Sequence, residues 1–293
     1  MELGLVVPHT GPMASPTFVE DFVLTAESCG IDRLWAVDHL VLPHRVESPY
    51  VSGRQPVRVA DGWLSEYLAP SYESLTTLAW IAGRTTRIGL GTSVAALPLR
   101  NPICNARQLA TLDALSGGRV VYGAGIGWMR EEAVAMGLPW DHRATRSEEH
   151  IALLRHLWSA REPLVSFHGQ YFSFSDIDPS PFPCQRPIPI LIGEHSAGAL
   201  ARAVRVGDGW IAGPMPPERL AGLLATLRRL AEEQGRDADD LLVVASTVAG
   251  PDVSPAFLSS YRDVGVHHLQ LVLPVIEPRA ALCLVERIAA WRD

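Results

Sequence analysis

The sequence contains no lysine, and all 25 of its basic residues are arginine. Codon bias in a GC-rich genome is sufficient to explain this composition. The absence nevertheless excludes several chemistries. Schiff-base catalysis, phosphate binding by a P-loop lysine and a carbamylated lysine that bridges two metals all require the missing side chain.

Cysteine is also scarce, and the cysteines stand far apart without a C-x-x-C pair: Cys29, Cys104, Cys184 and Cys283. This spacing argues against a zinc site or a disulfide framework and suits a reducing cytosol, so we expect a cytoplasmic protein. We expect no signal peptide, because the first predicted strand is already in place by residue 3.

Long hydrophobic runs and clusters of positive charge are absent as well. No apolar segment approaches the roughly 20 residues that a membrane helix needs. The formal net charge is -7, and the arginines are scattered singly along the chain. We therefore expect neither a membrane nor a nucleic acid as partner.

Two hydrolase signatures are missing from the sequence. A metal-dependent barrel hydrolase carries His-x-His on its first strand, whereas this chain has only Val7-Pro8-His9-Thr10. No G-x-S-x-G motif of a serine hydrolase is present either. We therefore expect no metal site, and we expect His9, at the end of the first strand, to line a pocket.

The sequence does contain a regular alternation of apolar, β-rich runs with helical patterns. Continuous apolar runs are typical of parallel strands covered on both faces, and the alternation indicates an α/β fold. Eight such repeats favour a (β/α)8 TIM barrel, formed as one domain over residues 1–293, rather than an open sheet. The predicted strands are 2–8, 33–37, 87–94, 119–126, 188–193, 209–213, 241–247 and 268–273.

Two stretches interrupt this alternation. Residues 40–70 form a long connection after the second strand, and loops of this length are usually lids or binding loops. Residues 163–187 contain two alternating segments about a His168-Gly169 turn. This pattern predicts a β-hairpin that is inserted before the fifth strand.

The segment RLWAVDHLVLP ends the second predicted strand with Asp38 and His39. Side chains at the carboxyl ends of barrel strands point into the active-site mouth, and histidine is the side chain best suited to proton transfer near neutrality. The alternative is a helix-capping aspartate beside a structural histidine. Position alone does not decide between these two interpretations.

Three further strand ends carry small or polar residues. In GTSVAALPLRNP, residues 91–102, small side chains either admit a flat ligand or pack tightly in the barrel. YGAGIGW, residues 122–128, resembles a dinucleotide motif only weakly, because the next predicted helix begins at about residue 144. Gly193 to Ser196 precede a helix, which favours a phosphate cradle of backbone N–H groups over an ordinary serine N-cap.

Together these strand ends resemble the luciferase-like monooxygenase superfamily, and within it the branch of coenzyme F420-dependent oxidoreductases. The resemblance covers nearly the whole chain and is strongest over residues 31–213. The combination of blocks is more specific than any single block. The matching blocks are DRLWAVDHLVLP, TRIGLGTSVAALPLRNPICNARQLATLDALSGGRVVYGAGIGW, RSEEHIALLRHLW, FHGQYFSF and RPIPILIGEHSAGALARAVRVGDGWI.

The resemblance implies a (β/α)8 barrel that binds a flavin or deazaflavin at the carboxyl ends of its strands. It implies that His39, with Asp38, is the catalytic acid/base beside the ring of the cofactor. It also implies a bulge with a cis peptide between Ser93 and Val94, against which this ring lies. The remaining residues implied to bind the cofactor are Gly125 and Gly127 beside the ring and Gly193, Glu194, His195 and Ser196 at its phosphate.

The sequence departs from the sugar-phosphate dehydrogenases of that family. Those enzymes carry a glutamate where this chain has Trp128, a tryptophan soon after the histidine of the second strand, and lysines that bind the substrate phosphate. We therefore expect an apolar or aromatic small-molecule substrate, bound near Trp63, Tyr67 and Trp128. The family further implies a homodimer and a reductase or dehydrogenase that recycles the cofactor.

Three functions remain open at this point. The leading hypothesis is F420-dependent hydride transfer to or from the substrate, with His39 handling the proton. The second is an FMN-dependent monooxygenase, which uses O₂ and receives reduced flavin from a partner reductase. The third is a binding or structural protein that keeps the barrel without catalysis, since one barrel fold hosts many functions.

Overall fold

The computed structural model describes residues 1–49, 68–250 and 253–291. Each strand is short, and those of the barrel are almost entirely buried, as the continuous apolar runs require. In chain order the strands are Glu2–Val6 (β1), Arg33–Ala36 (β2), Gly89–Thr92 (β3), Ala95–Ala96 (β4), Val120–Gly125 (β5), Val165–His168 (β6), Ser173–Ile177 (β7), Ile190–Gly193 (β8), Gly209–Ala212 (β9), Leu242–Val248 (β10) and His268–Val272 (β11).

Eight parallel strands close into a barrel. The order β3-β2-β1-β11-β10-β9-β8-β5 returns on itself because β3 also pairs with β5, with Leu90 opposite Val120. The two-residue strand β4 continues past β3 and pairs with the end of β5. The predicted TIM barrel is thereby confirmed.

Helices cover the outside of this barrel. They are Pro16–Ser28 (α1), Ser74–Ala82 (α2), Pro102–Ser116 (α3), Arg130–Ala135 (α4), Arg143–Ser159 (α5), Ala197–Val206 (α6), Pro217–Glu233 (α7), Pro255–Asp263 (α8) and Pro278–Ala289 (α9). Among the described residues, no helix is long and apolar enough to cross a membrane.

Side-chain caps begin several of these helices where the sequence predicts them. Ser15, Asn101, Ser196 and Ser254 each accept a hydrogen bond from a backbone N–H of the following turn. In three of the four helices, a proline occupies the first helical position. The N–H that proline lacks would have no partner within the helix at this position, so no hydrogen bond is lost. Local sequence therefore determines where these helices start.

Helix α4 corrects the sequence analysis, which expected no helix between β5 and about residue 144. Its six residues are too few to show an apolar period, and Met129 at its N-cap makes no side-chain cap. The first turn instead carries Glu131 and Glu132, whose charges favour a helix N-terminus. This short helix delivers a residue to the candidate active site.

The inserted hairpin is also confirmed. Strands β6 and β7 pair antiparallel, with Phe167 opposite Phe174. The carboxylate of Glu149, on α5, accepts hydrogen bonds from three consecutive backbone N–H groups of the turn, at residues 170–172. The turn is therefore tied to α5.

The barrel interior is filled below its mouth. Trp35 is fully buried, and a Cβ atom at Gly4 or Gly91 would overlap its indole ring. Both glycines are therefore required by the close approach of this one large side chain. Because the interior is a packed core, a ligand must bind above it, at the carboxyl ends of the strands.

Candidate active site at the carboxyl ends of the strands

Asp38 follows β2 and is buried, with three hydrogen-bond donors around its carboxylate. Oδ1 accepts from Ser74 Oγ at 2.7 Å and from Arg100 Nη2 at 2.6 Å. Oδ2 accepts from the backbone N–H of Ala96 at 3.0 Å. The carboxylate thus ties the end of β2 to the start of α2, to β4 and to Arg100.

Arg100 completes this group as a buried ion pair. Its Nη2 also lies 3.0 Å from Glu73 Oε1, at the N-cap of α2. Burial lowers the pKa of Arg100, but Asp38, Tyr122 and Glu73 together raise it by more, so the guanidinium pKa lies above its ordinary value. The ion pair of Asp38 and Arg100, called the Asp38 clamp below, is therefore permanently charged. It joins the ends of β2 and β4 to the start of α2.

His39 lies next to this clamp and is held by a different carboxylate. Its Nδ1 is 3.3 Å from Glu132 Oε2, and its ring meets Trp128 edge-on, with centroids 6.2 Å apart. Because a carboxylate accepts, Nδ1 carries the hydrogen and Nε2 is the nitrogen left for proton transfer. About 16% of the side chain is exposed, so the ring is reachable.

Glu132 is one of the residues of this candidate site that the sequence analysis missed. It is buried, and its Oε1 accepts from the backbone N–H groups of Leu40 and Val41, at 2.5 and 3.0 Å. One side chain therefore holds both the ring of His39 and the chain that follows it. The sequence did contain a signal for this residue, because Glu131 and Glu132 follow the glycines of β5. The helix that carries these two residues was not predicted.

Replacing Glu132 with Gln is expected to lower turnover about tenfold to a hundredfold, because a catalytic ring misplaced by an ångström costs up to about a hundredfold. Glu131→Gln is the matched control, since Glu131 lies on the same helix but binds Ser48 and the N–H of Glu47. Turnover numbers and melting temperatures of both variants check this. Equal losses in the two would refute a specific role for Glu132.

The bulge between β3 and β4 contains the predicted cis peptide, Ser93-Val94. Ser93 Oγ accepts from Gln270 Nε2 at 2.7 Å, from the far side of the barrel. The side chain of Val94 fits between two glycines: a Cβ at Gly125 or Gly193 would lie 2.6 or 2.7 Å from its methyl carbons. These glycines thus make room for Val94, which supports the tight-packing interpretation for this part of the mouth.

The loop before α6 is arranged as a helix N-terminus with unused donors. Ser196 caps the helix, and within the described chain the backbone N–H groups of Ala197 and Gly198 have no acceptor. Glu194 has a φ of +85° and accepts from the N–H of Ser196 at 3.0 Å, while His195 Nδ1 lies 3.7 Å from its carboxylate. The two N–H groups without acceptors are available to an anion at this end of the helix.

His9 also reaches the mouth, at the end of β1. Its Nδ1–H donates to the carbonyl of Tyr72 at 2.8 Å, and its buried Nε2 has no protein partner. Burial lowers the pKa of His9, so the ring is neutral and Nε2 is an acceptor without a donor.

Gly127 has a φ of +68° and bends the chain between β5 and Trp128.

Most of the predicted site residues fall into three groups. His39 and Trp128 lie together, as do Val94, Gly125 and Gly193, and the loop 193–196 forms the start of α6. Trp63 and Tyr67 lie outside the described residues, so their assignment to a substrate pocket stays a prediction. Sequence reasoning did not connect Ser74, Arg100 or Glu132 with this site.

Comparisons with known proteins place this chain in a family. A family model described as luciferase-like monooxygenase matches residues 1–256. An F420-dependent glucose-6-phosphate dehydrogenase of Kineococcus radiotolerans is 35% identical over 227 residues, which are 76% of this chain and 60% of that protein.

Two solved structures share the fold. An F420-dependent secondary alcohol dehydrogenase in complex with an F420-acetone adduct has a TM-score of 0.77 and 16% identity, over 100% of this chain and 99% of that one. The monooxygenase RslO1 from Streptomyces bottropensis has a TM-score of 0.77 and 21% identity, over 100% and 98%. The chain belongs to the luciferase-like monooxygenase family.

Proposed function

We propose that this protein is a coenzyme F420-dependent oxidoreductase that transfers hydride to or from a small apolar or aromatic metabolite. The observation that carries the proposal is His39, aligned by Glu132 and next in sequence to Asp38, whose carboxylate binds the N–H of Ala96 just after the Ser93-Val94 bulge. The sequence relationship to F420-dependent glucose-6-phosphate dehydrogenases supports the choice of cofactor.

The residues at the mouth fit a cofactor that has a phosphate and a polar ring. Ala197 and Gly198 are exposed at a helix N-terminus, and their N–H groups have no acceptor within the described chain; a phosphate is favoured there by the helix dipole. His9 Nε2 and Gln270 Oε1 are buried acceptors without donors, and such atoms are costly unless a ligand or water supplies a hydrogen. The loop 193–196 and the bulge would hold the cofactor.

Coenzyme F420, when bound, supplies the hydride chemistry of its deazaflavin ring. The chain supplies the proton and the geometry. His39 accepts or donates the proton at Nε2, while Glu132 keeps its Nδ1–H in place. Asp38 is a positioning residue, because both of its oxygens are occupied by Ser74, Arg100 and the N–H of Ala96.

The substrate proposal is supported by what surrounds His39. The indole of Trp128 packs against the His39 ring in a T-shaped arrangement, and no lysine exists anywhere in the chain to bind a substrate phosphate. The finer features of the proposal are those common in the family: a homodimer in the cytoplasm, served by a reductase or dehydrogenase that recycles F420.

Titration of the purified protein with F420 and, separately, with FMN tests the cofactor, with fluorescence quenching as the readout. We expect micromolar or tighter binding of F420 and much weaker binding of FMN. Preference for FMN would move the protein to the monooxygenase function. Binding of neither would refute both and leave a barrel without redox catalysis.

The phosphate loop has a matched pair of variants. Gly198→Asp places a negative charge at the N-terminus of α6, and Gly222→Asp makes the same change within α7; at both positions a Cβ meets nothing within 4 Å. We expect the first to weaken F420 binding about tenfold, because the new charge opposes that of the phosphate, and the second to leave it unchanged. Equal affinities in the two variants would exclude this loop as the phosphate site.

A further inference from the structure

A second pocket lies outside the barrel, between the start of α3, helix α5 and the turn of the β6–β7 hairpin. Its volume is about 250 Å³. Leu97, Leu138 and Phe172 provide apolar walls, and Arg146 and Ser147 of α5 provide polar groups. The pocket is separate from the mouth, although Arg100 of the Asp38 clamp forms part of its lining.

Ser147 lines this pocket and carries a buried hydroxyl without a partner. Only 2% of the residue is exposed, and its Oγ makes no hydrogen bond. A buried hydroxyl without a partner destabilises a protein, so its presence needs an explanation such as a ligand. The hydroxyl is a donor that a bound acceptor would satisfy.

Arg146 adds a buried positive charge one residue earlier. It is 9% exposed, and its guanidinium donates to the carbonyls of Pro139 at 2.6 Å and Asp141 at 3.2 Å. No carboxylate within the described ranges lies in ion-pair distance of it. Arg202, which is equally buried, has Glu148 at 3.1 Å. A buried guanidinium that donates only to carbonyl oxygens has no counter-ion, so it can still bind an anion.

The other polar groups of the pocket leave this charge uncompensated. Burial lowers the pKa of His150 to about 3, so its ring is neutral near pH 7, and its Nε2 bonds Asn105 Oδ1 at 3.1 Å. Arg100 is neutralised by Asp38 and Glu73. The net charge of the pocket is therefore that of Arg146.

We propose that this pocket binds a small molecule with one carboxylate and an apolar body. The carboxylate would pair with Arg146 and accept the hydrogen of Ser147 Oγ, and the body would lie against Leu97, Leu138 and Phe172. One guanidinium, already bonded to two carbonyls, suits a single negative charge better than a phosphate dianion. The site is independent of the proposed redox function.

Isothermal titration calorimetry with sodium benzoate as the probe tests this site. Benzyl alcohol, which has a similar shape and no charge, and phenyl phosphate, which is a dianion, are the matched probes. We expect benzoate to bind at least about tenfold more tightly than benzyl alcohol, because a hydrogen-bonded ion pair exceeds a neutral contact by that factor. Equal binding of the two, or no binding of benzoate, would refute the proposal, and tighter binding of phenyl phosphate would refute the carboxylate assignment.

Variants of α5 locate the binding. We expect Arg146→Gln to weaken benzoate binding at least about tenfold and Ser147→Ala about fivefold. Arg155→Gln removes the same charge farther along the helix, where the arginine pairs with Asp208, and should leave binding unchanged. If all three variants bind benzoate equally, benzoate binds outside this pocket and the proposal fails.

Ser147→Ala also separates a ligand role from a structural one. Removing a buried hydroxyl that has no partner is expected to keep or raise the melting temperature of the protein alone, while reducing the increase that benzoate causes. A lower melting temperature without benzoate would mean that the hydroxyl serves the fold, which would overturn the proposal. This variant keeps the test valid if Arg146→Gln does not fold.

Discussion

Replacing His39 with Ala is expected to lower turnover at least about a hundredfold, because a positioned general acid or base contributes about that much or more. Binding of F420 should change little, since the loop before α6 holds the phosphate in our proposal. Steady-state kinetics and the fluorescence titration measure these two effects separately.

The matched control is His168→Ala, at an exposed position of the inserted hairpin, where Nδ1 bonds Ser173 Oγ. Its turnover should equal that of the unmodified protein. If His39→Ala turns over at the normal rate, the proton is handled by another group, and His9, whose Nε2 is unpartnered, becomes the next candidate.

Replacing Asp38 with Ala is expected to lower the free energy of unfolding by about 3 to 5 kcal/mol, because it leaves the buried charge of Arg100 without its main partner. The side chain of Asp38 is fully buried and that of Arg100 is 7% exposed, so water compensates little. Denaturant unfolding curves of the variant and the unmodified protein measure the difference.

Arg100→Met closes a double-mutant cycle with Asp38→Ala. The double variant should lose less stability than the sum of the two single losses, since neither charge is then left unpaired. Additive losses would show that the two side chains act independently. Activity should fall with Asp38→Ala as well, because Asp38 fixes the backbone next to His39.

The sequence alone determined the architecture. Apolar runs alternate with helical patterns eight times, which is a property of consecutive residues, and the barrel followed from it. The helix starts at Ser15 and Asn101 were equally readable, because a cap and its first turn are neighbours in the chain. Position at a strand end was enough to select Asp38 and His39 as candidates.

Only the tertiary structure decided how these candidates are held. Glu132 reaches His39 across 93 residues, and Arg100 reaches Asp38 across 62. No local pattern encodes such contacts, since they depend on how β2 and the elements after β3 and β5 meet at one rim. The same holds for Arg146 and Ser147, because their local sequence does not show that they line a pocket with an unbalanced charge.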